Sequence, residues 1–200
     1  NHAFAMSSAT SALEIAAQLC FLKDGDEVIM PSHTYTSSAY PFVKKGAKII
    51  WSDIDFDSRV INVDSIEKCI SKNTKAIVVV HLYGYVADME EIRAFCDAKD
   101  ILLIEDCAQA LGTKLNNKRA GTFGDMAIFS HHSQKNISTL GEGGVLVVKD
   151  PKLANIVPML RHNGHCPFDN QDEYWKPAMS NVDYPEFEGH FLEPNNFCLG

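Results

Sequence analysis

An α/β fold on a largely parallel sheet is what this sequence predicts, and three observations carry the prediction. Short continuous β-branched runs, AIVVVH over 76–81 and ILLIE over 101–105, have the composition of strands covered on both faces. Segments of helical periodicity stand between such runs, so strand and helix alternate along the chain. The 200 residues, 46% of them hydrophobic and 22% charged, suffice for one sizeable domain with its own core.

The elements follow in order. Residues 8–22, SATSALEIAAQLCFL, bring Leu13, Ala16, Ala17 and Cys20 onto one helical face behind a Ser/Thr start. The first turn of such a helix offers unpaired N–H groups to a phosphate, with hydroxyls at Ser8 and Thr10; an ordinary capped helix reads the same. The turn Lys23-Asp24-Gly25-Asp26 leads into a strand over 27–30 that Pro31 ends. Residues 32–36 then fall at the strand's carboxyl end, where open α/β sheets bind ligands. Tyr35 there either stacks on a flat ring or packs as a partly buried aromatic at a helix start. A helix, Gly46 and a strand over 47–51 come next, then a helix over 64–71, the strand 76–81, a helix over 89–99 and the strand 101–105.

Asp106 lies just past that strand, in IEDCAQALG. A carboxylate at the carboxyl edge of a parallel sheet holds the protonated nitrogen of an aromatic cofactor, or else caps the following helix. After the polar hairpin TKLNNKRAGTFGD comes AIFSHHSQKNISTLGEGGVLVV, residues 127–148: an apolar strand ending in Ser130, then Lys135, a glycine cluster and a second apolar strand. A lysine held between buried strands must pair with a carboxylate, lose its proton or be consumed as a Schiff base. A lysine on a polar hairpin loop is instead simply solvated. A helix over 152–161 closes the regular part, and residues 163–195 show neither period, as in a long functional or interfacial excursion.

Composition excludes several classes. A net charge of −8 argues against nucleic acid or an anionic membrane as the main partner. Six scattered cysteines without a CxxC pair read as reduced and cytoplasmic. The start lacks a signal peptide, and no apolar run approaches the roughly 18 residues that span a bilayer. Neither His131 and His132 nor His162, His165 and Cys166 form a metal-ligand pattern, so no metal is expected, and no GxSxG turn marks a serine hydrolase. The absent initiator methionine and the abrupt end suggest a piece of a longer chain.

Four motifs, MSSATSAL, GDEVIMPSHTY, IEDCAQALG and FSHHSQKN followed by GEGG, resemble in this order the sugar aminotransferases of the DegT/DnrJ/EryC1/StrS family, within the fold-type I pyridoxal-phosphate enzymes. The resemblance covers most of residues 5–162. It implies a fold-type I large domain over 1–162, incomplete at its N-terminus, with 163–200 leading toward a C-terminal small domain. Pyridoxal 5'-phosphate is the implied cofactor, with Lys135 and Asp106 catalytic. Lys135 carries it covalently, and Asp106 partners its pyridinium nitrogen. By the same resemblance Tyr35 stacks on the ring and Gln109 approaches the phenolic oxygen. Ala9, Thr10 and Ser130 match phosphate-binding positions, and Asn196 matches an asparagine that reaches the phosphate from the second subunit of a homodimer. His132 matches a histidine of open role. Ala9 stands where glycine is common, His131 where an aromatic is usual, and Glu193-Pro194 where the family commonly has glycine.

The resemblance implies a cytoplasmic enzyme that moves an amino group from glutamate to a keto group of a nucleotide-linked sugar, in cell-surface polysaccharide or secondary-metabolite biosynthesis. Two alternatives stand beside it. One is a keto-sugar dehydratase using the same cofactor, in which the lysine position is a histidine; the other is a non-catalytic relic of the cofactor domain.

Overall fold

The computed structural model describes residues 2–161. The elements are β1 (His2–Met6), α1 (Ala9–Leu19), β2 (Glu27–Pro31), α2 (Tyr40–Lys44), β3 (Lys48–Ser52), α3 (Val63–Glu67), β4 (Thr74–Val80), α4 (Met89–Lys99), β5 (Leu102–Asp106), the small hairpin β6 (Lys114–Leu115) and β7 (Lys118–Arg119), β8 (Met126–Ser130), β9 (Gly144–Val148) and α5 (Pro151–Arg161). Seven strands form one sheet in the order β1-β9-β8-β5-β4-β2-β3. Only β9 runs against its neighbours; the other pairings are parallel. The expected mostly parallel sheet flanked by helices is what the chain forms.

The pleat divides the apolar residues between two layers. Along β4, Ala76, Val78 and Val80 join Leu13, Ala16, Phe42 and Leu160 on the face covered by α1, α2 and α5. Ile77 and Val79 join Ile66, Ile92 and Phe123 on the face covered by α3 and α4. The same alternation on β5 puts Ile104 in the first layer and Leu103 in the second. A residue-by-residue change of face follows from the period of two in a strand. It sends the adjacent carboxylates Glu105 and Asp106 to opposite sides.

Most bounds shift by one to three residues, Asp106 falling inside β5 rather than just past it, and three differences have a physical reason. The helix expected over 64–71 stops at Glu67, because the side chains of Ser71 and Thr74 take over the backbone N–H groups of Asn73 and Ser71. Pro31 belongs to β2 rather than ending it: its pairing with β4 has already finished at Ile29, so the missing N–H breaks no ladder bond. Residues 2–6, which no sequence pattern singled out, form the edge strand β1 on β9.

Candidate active site

At the carboxyl edge of β2, β4, β5 and β8 the structure opens a cavity of about 310 Å³, within the range of roughly 300–1,000 Å³ usual for ligand pockets. Four strand ends, the N-terminus of α1 and the loop between β8 and β9 build it.

The α1 wall begins with a capping box. Ser11 N donates to Ser8 Oγ at 3.1 Å and Ser8 N donates to Ser11 Oγ at 2.9 Å. These bonds occupy the Ser8 hydroxyl and the third helical amide. The N–H groups of Ala9 and Thr10 keep no partner within the helix, and both residues line the cavity. Thr10 Oγ1 donates to Ser37 Oγ at 3.0 Å, which ties the helix end to the turn Thr36–Ser38. Gly144 allows the helix to sit this close, since a Cβ there would lie 2.6 Å from Ala9 N.

Asp106, the last residue of β5, forms the floor. It is 5% exposed, accepts from Ser38 Oγ at 2.8 Å and from Ala108 N at 3.1 Å, and is otherwise free to accept. Burial pushes its carboxyl above the usual range, and the Ser38 and Ala108 hydrogen bonds with the charges of His81 and Lys135 offset only part of that.

Glu105, one residue earlier, is the opposite case. It accepts from Gly121 N at 2.7 Å, Phe123 N at 2.7 Å and Gly124 N at 2.6 Å, and pairs with His81 Nε2 at 3.0 Å. Burial raises its carboxyl, but the His81 bond and the Gly124 and Gly121 amides outweigh it, so the net shift is downward. His81, Glu105 and Cys107 bring three possible metal-ligating atoms within 4.8 Å of one another. The Glu105 oxygens are spent on four donors, and burial with two carboxylates nearby holds the Cys107 thiol well above its ordinary value. The bonds to Glu105 stitch β5 to the 121–124 backbone.

The β8–β9 loop supplies the remaining wall. His131 N donates to Gly143 O at 2.8 Å and Thr139 N to His131 O at 3.1 Å, closing the loop on itself. Lys135 N donates to His132 O at 2.9 Å, and His132 Nδ1 accepts from Gln134 N at 3.2 Å while Nε2 faces Glu142 Oε1 at 3.4 Å. Lys135 is half-buried and faces the same cavity as Asp106. Among the described residues it is paired in no salt bridge.

Lys135, Asp106, Ala9, Thr10, Tyr35, Gln109 and Ser130 therefore meet around one cavity. Tyr35 is 76% exposed at its rim, so it is not the partly buried aromatic of the alternative reading. Asn196 and the 163–200 segment lie outside the described residues. Ser38, His81 and Glu142 escaped the sequence reading. Ser38 reaches Asp106 across 68 positions, and no local pattern carries such a contact.

The GDP-perosamine synthase of Vibrio cholerae is 39% identical over 163 residues, covering 82% of this chain and 44% of that protein. The L-glutamine:2-deoxy-scyllo-inosose aminotransferase of Streptomyces kanamyceticus is 42% identical over 165 residues, covering 82% and 38%. A solved GDP-4-keto-6-deoxymannose-3-dehydratase with a trapped PLP-glutamate geminal diamine matches with a TM-score of 0.82 at 31% identity, covering 90% of this chain and 50% of that one. The chain spans less than half the length of the two curated relatives. Residues 1–184 match the DegT/DnrJ/EryC1/StrS aminotransferase family, and the chain belongs to that family.

Proposed function

We propose that this chain is the cofactor-binding part of a pyridoxal-phosphate aminotransferase that acts on a keto group of a nucleotide-linked sugar. One observation carries the reading: a lysine and a buried carboxylate share a cavity with the open N-terminus of a helix. The donor set fits the cofactor. The amides of Ala9 and Thr10 with the Ser130 hydroxyl suit a phosphate, Asp106 a protonated ring nitrogen, Tyr35 a ring face, Gln109 a ring oxygen and Lys135 an aldehyde. Asn196 of a second subunit would add to the phosphate site, which makes a homodimer part of the proposal.

Bound pyridoxal phosphate supplies an electron sink for the carbon that loses its proton. Lys135 would hold the cofactor through its Nζ. Once free, that Nζ would take the α-proton of the amino donor and give it back, and would run the same proton transfer in reverse for the keto sugar. Asp106 would keep the ring nitrogen protonated. Glutamate is the proposed donor; the name of the Streptomyces kanamyceticus relative makes glutamine the competitor to run beside it, and a cyclitol ketone the competing acceptor. The cytoplasm is the proposed site of action, and no helix among the described residues is long and apolar enough to cross a membrane.

The dehydratase alternative shares this fold, so overall shape does not separate the two. Residue 135 does, since the resemblance gives that reaction a histidine there. The test is Lys135→Ala in the full-length protein. Turnover with glutamate and a keto-sugar nucleotide, and the borohydride-reducible visible band, are both expected to vanish; a variant that keeps either rejects the proposal. Wild-type protein that never forms the band is the relic.

A further inference from the structure

Two consecutive residues near the cavity hold left-handed backbone conformations, and in one of them the side chain disfavours it. Tyr83 has φ +54° and Gly84 has φ +84°, consecutive left-handed residues in the single turn Leu82–Gly84 that follows His81. Glycine adopts this conformation freely, whereas a bulky aromatic residue there is uncommon and is held by its surroundings. The turn is fixed from within by Gly84 N donating to His81 O and Tyr85 N donating to Leu82 O. Above it lies the segment after Asp106: a Cβ on Gly84 would meet Gln109 O at 3.5 Å and Thr113 Oγ1 at 3.6 Å.

Within this turn the Tyr83 N–H donates to Gln109 Oε1 at 2.8 Å. A backbone N–H only donates, so the Gln109 atom it meets is the oxygen. This contact removes the usual ambiguity of a carboxamide. Gln109 lines the cavity, and its oxygen is committed to Tyr83.

We propose that the left-handed turn at Tyr83 is a positioning device that locks the Gln109 carboxamide with its NH2 group toward the cavity, so that the site presents a hydrogen-bond donor to an anionic oxygen on the ligand ring. The inference deepens the pyridoxal-phosphate reading, whose ring carries such an oxygen, and rests on it for the identity of the ligand. Tyr83 acts through its main chain. Its phenol, 67% exposed, takes no part in the lock.

The test joins a measurement without cofactor to one with it, in the full-length protein. Amide hydrogen exchange at Tyr83 without pyridoxal phosphate is expected to be slow in the wild type, at least about tenfold faster in Gln109→Leu, which has no acceptor, and still slow in Gln109→Glu, which keeps an acceptor oxygen. Tyr83→Gly keeps the N–H and relieves the strained conformation, so its melting temperature is expected to rise with the exchange still slow. With pyridoxal phosphate added, Gln109→Glu faces the ring with an acceptor. Its dissociation constant, read from the visible band, is expected to rise about 10-fold to 100-fold, with the band shifted.

Slow exchange at Tyr83 in Gln109→Leu overturns the lock whatever the cofactor does. A Gln109→Glu protein with wild-type affinity and an unshifted band overturns the donor assignment while leaving the cofactor reading intact. A wild type that forms no band overturns the cofactor reading and the ligand assignment with it, and the exchange result still decides the lock.

Discussion

Glu105 and Asp106 are neighbours on one strand, both buried, and their surroundings drive them in opposite directions. Glu105 faces the α3 and α4 layer and receives three backbone amides and an imidazole, enough to hold a carboxylate ionised without water. Asp106 faces the cavity and receives one hydroxyl and one amide, too few to repay its burial. The difference separates an acid that holds a fold from one whose surroundings fit the proposed ligand role. Saturation with donors marks the first, and unspent acceptor capacity at a cavity wall marks the second.

The comparison is sharpened most by activity. Asp106→Asn is expected to lower turnover on the order of 10²–10³-fold, the scale of one preorganised electrostatic group, with steady-state kinetics at fixed cofactor as the check. Equal turnover in the variant breaks the assignment of the two acids.

Stability is expected to separate them in the reverse sense. Glu105→Gln replaces an acceptor oxygen by an amide that points N–H at N–H, with a loss of about 3 kcal/mol by urea denaturation. The folded carboxyl of Glu105 lies below its unfolded value. Its contribution is therefore complete above the unfolded pKa and disappears as pH falls through the folded one, so wild type and variant should converge in acid. For Asp106 the folded carboxyl lies above its unfolded value. The folded state is then favoured below the unfolded pKa, and that advantage is lost as pH rises through the folded pKa. Asp106→Asn should thus stabilise the cofactor-free protein by about 1 kcal/mol at neutral pH, seen as a higher melting temperature, with no gain at low pH.

Smaller effects follow at the supports. Gly144→Ala drives a methyl into Ser8 and Ala9 and is expected to cost about 2 kcal/mol, with weaker phosphate binding as the specific sign. Ser38→Ala removes one of the two donors to Asp106 and is expected to cost about 1 kcal/mol, with the Asp106 carboxyl moving further upward.

Periodicity and ordered motifs made the sheet, its carboxyl edge and the segments of the cavity legible in the sequence. A buried β-branched run such as 76–81 states its environment in its composition, and Asp106 follows such a run. What was not legible is the partnering. Ser38 resembles any serine of a polar loop until β2 and β5 are brought to the same edge, and Glu105 reads as one more acid until the 121–124 backbone folds over it. The edge strand β1 was silent because most of it is not buried, and exposed positions carry no hydrophobic period. Helix 64–71 was overextended because competition from the hydroxyls of Ser71 and Thr74 is a matter of geometry, not propensity.

The strand order carries a consequence for how the molecule comes off the ribosome. Among the described residues β1 has one neighbour in the sheet, β9, through the register His2↔Val148 to Met6↔Gly144. At a synthesis rate of roughly 5–20 residues per second, β1 waits many seconds for its mate. Meanwhile β2, β3, β4 and β5 already have one another. The N-terminus of α1 and the loop that carries Lys135 thus come together only once β9 is made, and a nascent chain halted before residue 144 holds five strands of the sheet with β1 unpaired.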